Sequence, residues 1–178
     1  MDVPQDVIEK AKKVKLLLLD VDGVLTEGSL IYDSKGREIK MFNVRDGLGV
    51  FLLGQAGIPS VILTARDSRV VHIRAKEMQV KGVYQGFPKA VQLEKIAQEQ
   101  KVGLDEMCFI GDDLIDIEVA KKVLLPIAVA DACNELKDAA VYTTQAKGGR
   151  GAVREVVEIL LKAQGLWKWP EAKSAKKE

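Results

Sequence analysis

The chain has 178 residues, long enough for one well-filled core and short for two, so we expect a single domain. Its 27 basic and 26 acidic side chains nearly cancel and give no net field that favours nucleic acid or an anionic membrane surface. Apolar residues make up 47% of the chain but occur in runs far shorter than the ~20 residues of a membrane-spanning helix. We therefore expect no nucleic-acid or membrane partner, and a local site for any anionic ligand.

The amino-terminal segment and the cysteines predict a cytoplasmic protein. The segment MDVPQDVIEK lacks the basic-then-apolar order of a secretory signal. Cys108 and Cys133 form no disulfide framework, and Cys108 is expected to be a buried reduced thiol. With His72 as the single histidine and no cysteine pair at ligand spacing, a zinc site or a Ser-His triad is hard to build.

The first strand is the segment on which the functional prediction depends. A helix over residues 4–13 leads into the apolar run Leu16–Leu19, which suits a strand buried on both faces. The run stops at Asp20, and Asp22 and Gly23 follow it. Taken alone, these residues fit an ordinary Asp-Gly turn equally well. Ligands of parallel sheets nevertheless collect at the carboxyl ends of strands, so both carboxylates lie where chemistry is expected.

A β-hairpin is predicted directly after this strand, over about residues 28–43. The strand-like runs SLIYD and REIKMFN flank the turn segment SKG. A hairpin in this place would project over the carboxyl end of the first strand and act as a flap. Its apolar side chains require a partner surface, and they are Leu30, Ile31, Ile39, Met41 and Phe42.

Strands and helices then alternate to the end of the chain. The predicted elements are a helix at 48–55 capped by Asp46, strand IPSVILTA, a helix at 67–79, strand GVYQ, a helix at 89–101, a strand in DEMCFIGDDLID, a helix to 122, strand LLPIAV, a helix at 134–138, strand AVYT and a helix around 153–161 ended by Gly165. This alternation predicts an α/β fold, a Rossmann-like doubly wound parallel sheet with right-handed crossovers.

Polar side chains at the ends of three predicted strands suggest a metal site. Asp20 with Asp22, then Thr64, then Asp112 with Asp113 end these strands, and Lys89 begins a helix between the last two. Carboxylates at adjacent strand ends repel one another unless a cation joins them. Because no soft ligands are available, a hard divalent ion is expected there, and Mg²⁺ is the predicted ion.

A carboxylate, Mg²⁺, a hydroxyl and an ammonium at one point are typical of a phosphoryl-transfer site. Mg²⁺ and Lys89 would neutralise the phosphoryl oxygens, Thr64 would hold them, and Asp20 would attack in line. Asp22 is placed to protonate the leaving alkoxide and later to activate water. Lys89 taken alone also fits a solvated helix start, and Thr64 an ordinary strand-end hydroxyl.

The motifs DVDGVLTEG, the strand ending in Thr64, Lys89 and GDDLID, in this order, resemble those of the haloacid dehalogenase-like phosphohydrolase superfamily. The resemblance implies that Asp20 is the nucleophile forming an aspartyl-phosphate and that Asp22 is the general acid and base. It implies that Asp112 binds Mg²⁺ with Asp20 and the Asp22 carbonyl. Asp113 and Asp116 would orient metal-bound waters and Lys89.

A closer resemblance covers nearly all of residues 15–165 and points to the 3-deoxy-D-manno-octulosonate 8-phosphate phosphatases. It rests on the hairpin and on the segments FNVRDGLGV, TARDSRVV, VYQGFPK and AKGGRGAVREVVEILL. It implies one domain over residues 1–166 with no large cap, and a homotetramer whose hairpins pack together. It also implies a phosphorylated sugar-acid substrate in lipopolysaccharide synthesis. Residues 167–178 form a tail, expected to be partly disordered beyond Pro170, in which Trp167 and Trp169 could dock.

The same resemblance gives roles to several basic residues. Arg66 would pair with the carboxylate of a sugar acid. Arg150, in the segment GGRG, would approach the active site at a subunit interface, although GGRG also fits a flexible entry to the last helix. Arg45, Asp46 and Gly47 either form a helix cap or line the substrate pocket.

Two departures from the family keep other functions open. TAR stands where many members have a glycine before the arginine, and DACNEL where many have a histidine and a proline after DA. A phosphatase for 2-keto-3-deoxy-nononate 9-phosphate or acylneuraminate 9-phosphate is therefore the nearest enzyme alternative. A phosphoacceptor signalling domain and a non-catalytic module that forms oligomers through the hairpin are the alternatives from other classes.

Overall fold

The computed structural model describes residues 3–168, whose central feature is a parallel sheet of six strands. Its strands are β1 (Leu16–Leu19), β4 (Ser60–Thr64), β5 (Val83–Gln85), β6 (Met107–Gly111), β7 (Leu125–Ala128) and β8 (Tyr142–Thr143), in the spatial order β5-β4-β1-β6-β7-β8. Because β4 and β6 pair with opposite edges of β1, the chain winds outward in both directions from β1. This reversal of strand order opens a crevice at the carboxyl end of β1.

Helices cover both faces of the sheet. They are α1 (Gln5–Ala11), α2 (Val44–Gln55), α3 (Arg69–Met78), α4 (Leu93–Gln100), α5 (Ile117–Ala120), α6 (Asn134–Ala139) and α7 (Ala152–Ala163). Short 3₁₀ turns at Lys89–Gln92, Leu104–Glu106 and Leu114–Asp116 lie ahead of α4, β6 and α5. The predicted α/β fold with a doubly wound parallel sheet is confirmed.

Strand β1 divides the apolar core into two layers. Leu17 and Leu19 belong to a cluster with residues of α1, α2 and α7, whereas Leu16 and Leu18 point into a second cluster with Leu93 of α4. All four leucines of β1 are fully buried. Alternate side chains of a strand lie on opposite faces, so a strand covered on both faces must be apolar throughout.

The predicted hairpin is present between β1 and α2. Strands β2 (Ile31–Tyr32) and β3 (Glu38–Ile39) pair antiparallel, and Ile31 lies opposite Ile39. The Asp33 carboxylate accepts hydrogen bonds of 2.9 Å from the backbone N–H groups of Lys35 and Arg37, which closes the turn. Each strand has two residues only, so contacts made outside the hairpin must fix its position.

Several predicted boundaries were wrong. Helix α2 begins at Val44 with Asn43 as its cap, because the Asn43 side chain accepts a 2.8 Å bond from the backbone N–H of Arg45. Asp46, predicted to be that cap, lies inside the first turn. Helix α3 begins two residues after Asp67, and the helix predicted from Lys89 starts with a 3₁₀ turn.

The last described segment runs from α7 to residue 168. The ring of Trp167 lies under the Arg154 guanidinium at 5.0 Å and the Lys162 ammonium at 5.4 Å, two cation–π contacts that dock it on α7. Trp169 and the tail beyond Pro170 lie outside the described residues. Within residues 3–168, every helix falls short of the length and apolarity required to cross a membrane.

Candidate active site

Four charged side chains lie together beyond the carboxyl ends of the strands, and we call Asp20, Lys89, Asp112 and Asp116 the buried cluster. Asp112 is half-buried and the other three are buried. The Lys89 ammonium lies 2.8 Å from Asp20 Oδ2 and 2.7 Å from Asp116 Oδ1. The Lys89 and Asp116 side chains are fully buried, and Asp20 is nearly so. A buried ammonium is tolerated only when carboxylates pair with it, so these three side chains depend on one another.

The Asp116 carboxylate organises the loop after β6. Its Oδ2 atom accepts a 2.9 Å bond from the backbone N–H of Asp112 and a 3.4 Å bond from that of Asp113, while Oδ1 binds Lys89. Both oxygens of Asp116 are thereby engaged. The exposed Asp113 accepts a 2.8 Å bond from the backbone N–H of Leu114 and so caps the 3₁₀ turn. Asp116 accordingly positions Lys89 and Asp112.

The carboxylates of the buried cluster fit a divalent cation. One oxygen each of Asp20, Asp112 and Asp116 lies within 4.8 Å of the others. Burial raises the pKa of Asp20 to about 6, and burial together with the nearby Asp20 and Asp116 raises the pKa of Asp112 to about 8. Burial is the largest cause of both pKa shifts, because it disfavours the charged form of a carboxyl group. Because Asp116 is already engaged on both oxygens, Asp20 and Asp112 are the carboxylates best placed to accept a cation.

Gly23 allows Asp112 to approach the loop after β1. Gly23 has a φ of +89°, and a Cβ atom added to it would lie 1.9 Å from Asp112 Oδ2. Any other residue would therefore be strained in backbone conformation and would collide with this carboxylate. The Asp-Gly sequence brings the Asp22–Gly23 peptide against Asp112.

A cavity of about 210 Å³ opens above the buried cluster. It is lined by Asp20, Asp22, Gly28, Thr64, Ala65, Arg66, Lys89, Asp112, Asp113 and Ile115. The predicted catalytic, metal-binding and phosphate-binding residues thus share one cavity. Arg66, predicted to bind the substrate, and Asp113, predicted to orient metal-bound waters, line the same cavity. Thr64 is the last residue of β4, and its hydroxyl accepts a 3.3 Å bond from the backbone N–H of Arg66.

A second polar cluster joins the hairpin to the loops after β1 and β4. It consists of Asp22, Glu38, Lys40, Arg66 and Ser68, and we call it the hairpin cluster. The Lys40 ammonium contacts Asp22 Oδ1 and lies 3.2 Å from Glu38 Oε1. Arg66 lies 3.6 Å from Asp22 Oδ2 and 3.2 Å from Glu38 Oε1, and the Ser68 hydroxyl donates to Glu38 Oε2. These bonds fasten the hairpin to the loop after β1 and to the loop after β4.

The hairpin cluster contains residues that sequence reasoning missed. Lys40, Glu38 and Ser68 had no predicted role, yet the Lys40 side chain is only 1% exposed. The period-two pattern of the segment REIK could have indicated Glu38 and Lys40, since it places both on the same side of a strand. What it does not indicate is their partner, Asp22.

Three predicted substrate-binding residues, Arg45, Asp46 and Gly47, are not among the residues that line this cavity in the single chain. The buried Asp46 carboxylate accepts bonds from the backbone N–H groups of Gly151 at 3.2 Å and Arg154 at 2.8 Å, and so caps α7. A Cβ atom on Gly47 would lie 1.9 Å from an Arg74 nitrogen, so this glycine makes room for that guanidinium. Arg45 is exposed on the first turn of α2.

Arg150 also lies outside this chain's cavity. Its guanidinium binds the Glu27 carboxylate at 3.0 Å, and its side chain is 65% exposed. The segment GGRG packs against the loop after β1, where the backbone N–H of Gly149 donates a 2.8 Å bond to the Val24 carbonyl. In the single chain, GGRG therefore packs on the loop after β1.

The sheet, the hairpin insertion and the buried cluster define the class of haloacid dehalogenase-like hydrolases, whose family model matches residues 72–156. An Escherichia coli K12 relative, 3-deoxy-D-manno-octulosonate 8-phosphate phosphatase, is 42% identical over 172 residues, which cover 96% of this chain and 90% of the relative. The chain belongs to the 3-deoxy-D-manno-octulosonate 8-phosphate phosphatase family.

Solved structures show the same similarity. The 3-deoxy-D-manno-octulosonate 8-phosphate phosphatase of Yersinia pestis matches with a TM-score of 0.90 and 41% identity, covering 92% of this chain and 89% of that one. The enzyme of that name from Moraxella catarrhalis, in complex with a magnesium ion, a phosphate ion and KDO, matches with a TM-score of 0.88 and 40% identity. That match covers 92% of this chain and 94% of the Moraxella chain.

Proposed function

We propose that this protein is a Mg²⁺-dependent phosphatase that hydrolyses 3-deoxy-D-manno-octulosonate 8-phosphate to KDO and phosphate. One observation carries the proposed chemistry: Lys89 joins Asp20 to Asp116 beside Asp112, at the base of a cavity that also contains Asp22 and Thr64. The proposed substrate is supported by the relatives, which are named 3-deoxy-D-manno-octulosonate 8-phosphate phosphatase and match most of the chain.

In the proposed reaction, Asp20 is the nucleophile. One of its oxygens is 2.8 Å from the Lys89 ammonium, which keeps the carboxylate charged in spite of burial and fixes its direction. Attack on phosphorus forms an aspartyl-phosphate on Asp20 and breaks the bond to the sugar oxygen. Lys89 and the Thr64 hydroxyl hold phosphoryl oxygens during this transfer.

Asp22 is the proposed general acid and base. It lies two residues beyond Asp20 and lines the same cavity. In the first step Asp22 gives a proton to the leaving sugar oxygen, and in the second it takes a proton from the water that hydrolyses the aspartyl-phosphate. Asp22 is thus returned to its starting state, and the net products are a sugar alcohol and inorganic phosphate.

The proposed metal ligands are the Asp20 and Asp112 carboxylates and the Asp22 carbonyl. Oxygen ligands of this type suit Mg²⁺, and one carboxylate oxygen each of Asp20 and Asp112 lies within 4.8 Å of the other. The chemistry that Mg²⁺ supplies when bound is neutralisation of the charge on the phosphoryl group. Asp116 orients Asp112 through its backbone N–H, and Asp113 borders the cavity.

Arg66 is the proposed partner of the substrate carboxylate. Its side chain is 43% exposed, borders the cavity and is held at one edge by Glu38. An arginine can bind a carboxylate with two parallel hydrogen bonds, which distinguishes a sugar acid from a neutral sugar phosphate. The phosphate group of the substrate would then lie over the buried cluster, and its carboxylate would lie at the hairpin.

We also propose that the protein assembles through the hairpin, as a homotetramer. Six apolar side chains of the hairpin and the start of α2 are 39% to 80% exposed in the single chain, namely Leu30, Ile31, Tyr32, Ile39, Met41 and Val44. Such an apolar patch is characteristic of an interface. Arg45 and Arg150, exposed outside this chain's cavity, could reach a neighbouring site in that assembly.

The free cysteines agree with the proposed cytoplasmic location. Cys108 lies fully buried in β6, where burial raises its thiol pKa, and Cys133 is also a free thiol. Buried, unpaired thiols are the usual state of cysteine in a reducing compartment.

The test is phosphate release with Mg²⁺ or with a chelator from four substrates: 3-deoxy-D-manno-octulosonate 8-phosphate, a nononate 9-phosphate, arabinose 5-phosphate and 4-nitrophenyl phosphate. We expect Mg²⁺-dependent turnover with a clear preference for the eight-carbon acid. Preference for the nononate 9-phosphate would show that the substrate assignment is wrong and that the phosphatase assignment is right. A stable phosphoprotein without turnover would indicate a phosphoacceptor domain, and inactivity of a folded, Mg²⁺-binding protein on all four would indicate a non-catalytic module.

A further inference from the structure

Lys40 is a buried charge that the proposed reaction does not yet use. It lies one residue beyond β3, and its side chain is 1% exposed. Removing an ammonium from water costs several kcal/mol unless carboxylates offset it. The Lys40 ammonium contacts Asp22 and Glu38, so the hairpin brings a lysine into the cavity wall directly against the proposed acid and base.

The two oxygens of Asp22 have different partners. Oδ1 contacts the buried Lys40, and Oδ2 lies 3.6 Å from the half-exposed Arg66. If Arg66 turns to a substrate carboxylate, Lys40 remains as the cation at Asp22. An exposed side chain can exchange partners at little cost, whereas an ammonium closed off from solvent cannot.

We propose that Lys40 is a positioning residue for Asp22. Its ammonium fixes the Asp22 carboxyl group at the point from which the proton reaches the leaving oxygen, and Glu38 fixes Lys40 in turn. The proposal rests on the proposed function, because it assumes that Asp22 is the general acid. It adds a role for the hairpin: besides offering an apolar face, the hairpin completes the catalytic constellation of its own chain.

The test uses the leaving group, because proton donation matters most when the leaving oxygen is a poor one. The kcat/KM of a phosphatase with a covalent intermediate reports only the steps up to departure of the alcohol, so later hydrolysis of the aspartyl-phosphate does not enter. We would compare Lys40→Met with the wild type on 4-nitrophenyl phosphate, phenyl phosphate and the eight-carbon sugar-acid phosphate. Loss of positioning should lower kcat/KM about 30-fold on the sugar-acid phosphate and less than about 3-fold on 4-nitrophenyl phosphate, with phenyl phosphate between them.

Two controls separate positioning from structure and from substrate binding. Lys35→Met makes the same chemical change at the exposed turn of the same hairpin and should change kcat/KM by less than about 2-fold on each substrate. Competitive inhibition by inorganic phosphate should be equal in Lys40→Met and the wild type. The elution volume in size-exclusion chromatography should also be the same for all three proteins.

Lys40→Met leaves two carboxylates without their ammonium, so its folding is checked by thermal unfolding. The double variant Glu38→Gln, Lys40→Met removes one charge of each sign and should show the same dependence on leaving group. An equal fall of kcat/KM on all three substrates would overturn the proposal and leave Lys40 a structural role. Weaker inhibition by phosphate, in proportion to the lost kcat/KM, would overturn it in favour of direct phosphate binding.

The two proposals fail in different ways. A wild type that hydrolyses the aryl phosphates but not the sugar-acid phosphate would overturn the substrate assignment, while the comparison of phenyl and 4-nitrophenyl phosphate still decides the role of Lys40. A wild type inactive on every phosphate would overturn both.

Discussion

The buried cluster and the hairpin cluster each hold a buried lysine between carboxylates, but they differ in what surrounds the carboxylates. Lys89 is fully buried with Asp20 and Asp116, which are 5% and 0% exposed. Lys40 is as deeply buried, but Asp22 and Glu38 are 22% and 16% exposed. In the first set, Asp20 directly follows the central strand β1, and Lys89 and Asp116 lie in 3₁₀ turns after β5 and β6. In the second set, Glu38 and Lys40 belong to a hairpin with two residues in each strand.

This difference separates the buried groups that hold the nucleophile from the exposed Arg66, which is the proposed partner of the substrate carboxylate. The Lys89 and Asp116 side chains are closed off from solvent, so their geometry is fixed before any ligand arrives, which favours catalysis by preorganised groups. The hairpin cluster contains the exposed Arg66, which can leave Glu38 for a ligand. We expect changes in the buried cluster to remove turnover of every substrate, and changes at Arg66 to affect some substrates only.

The largest effect is expected from Asp20→Asn. An amide cannot form the aspartyl-phosphate, so kcat should fall by about 10⁴-fold or more on every substrate. The fold should survive, because the amide keeps the shape and removes one of several buried negative charges. Phosphate release and thermal unfolding measure the two effects, and appreciable turnover by a pure, folded Asp20→Asn protein would exclude Asp20 as the nucleophile.

The next largest effect is expected from Lys89→Met. Removing this ammonium leaves Asp20 and Asp116 buried without their partner, which should cost about 3–5 kcal/mol of unfolding free energy. Activity should fall about 10³-fold, since a preorganised group that stabilises the transferring phosphoryl is lost. Denaturant unfolding without Mg²⁺ and phosphate release measure the two quantities.

Lys95→Met is the matched control for this variant. Lys95 is 62% exposed and lies 3.9 Å from Glu99 and 5.8 Å from the centre of the Tyr84 ring, so its loss should change the unfolding free energy by less than about 1 kcal/mol. Similar stability losses in both variants would contradict the interpretation of Lys89 as a paired buried charge.

A smaller and more selective effect is expected from Arg66→Ala. Loss of a charged hydrogen-bonding partner should lower kcat/KM for the eight-carbon sugar acid by about 10- to 100-fold, mainly through KM. The kcat/KM for 4-nitrophenyl phosphate, which has no carboxylate, should stay within about 3-fold of the wild type. Arg69→Ala, at an exposed position of the same segment, is the control. An equal loss on both substrates would show that Arg66 acts on the phosphoryl group or on Asp22.

The buried cluster could be predicted from the sequence because its information is local. Apolar runs of three or four residues define β1, β4 and β6, and the first polar side chain after each run marks the sheet edge. Parallel pairing of neighbouring strands then brings Asp20, Thr64 and Asp112 to one edge without any knowledge of side-chain contacts.

The hairpin cluster and the role of Asp46 could not be predicted in this way. Lys40 meets Asp22 across 18 residues and Asp46 meets the backbone of Arg154 across 108, and neither pairing follows from a periodic pattern. Asp46 at the start of α2 fits a cap of its own helix equally well. Its actual function, capping α7, depends on how α2 and α7 pack, which is a property of the tertiary fold.

The smallest expected effect concerns the pH dependence of stability without a cation. The folded-state pKa of Asp112 is raised to about 8 and that of Asp20 to about 6, above the ordinary value of 3.8. The folded protein thus holds protons that the unfolded chain has released, so stability is greatest below the unfolded-state value and is lost as pH rises through the folded-state values. With chelator, the melting temperature should fall by roughly 5 °C between pH 5 and pH 8.

Saturating Mg²⁺ should reverse part of this loss, because a cation favours the ionised carboxylates and binds the folded state alone. The gain in melting temperature on adding Mg²⁺ should therefore be larger at pH 8 than at pH 5. Asp112→Asn removes the group with the higher pKa, so its melting temperature in chelator should depend less on pH than that of the wild type, and its gain from Mg²⁺ should be small at both values. A gain from Mg²⁺ that is equal at the two pH values in the wild type would contradict proton release from Asp20 and Asp112 on cation binding.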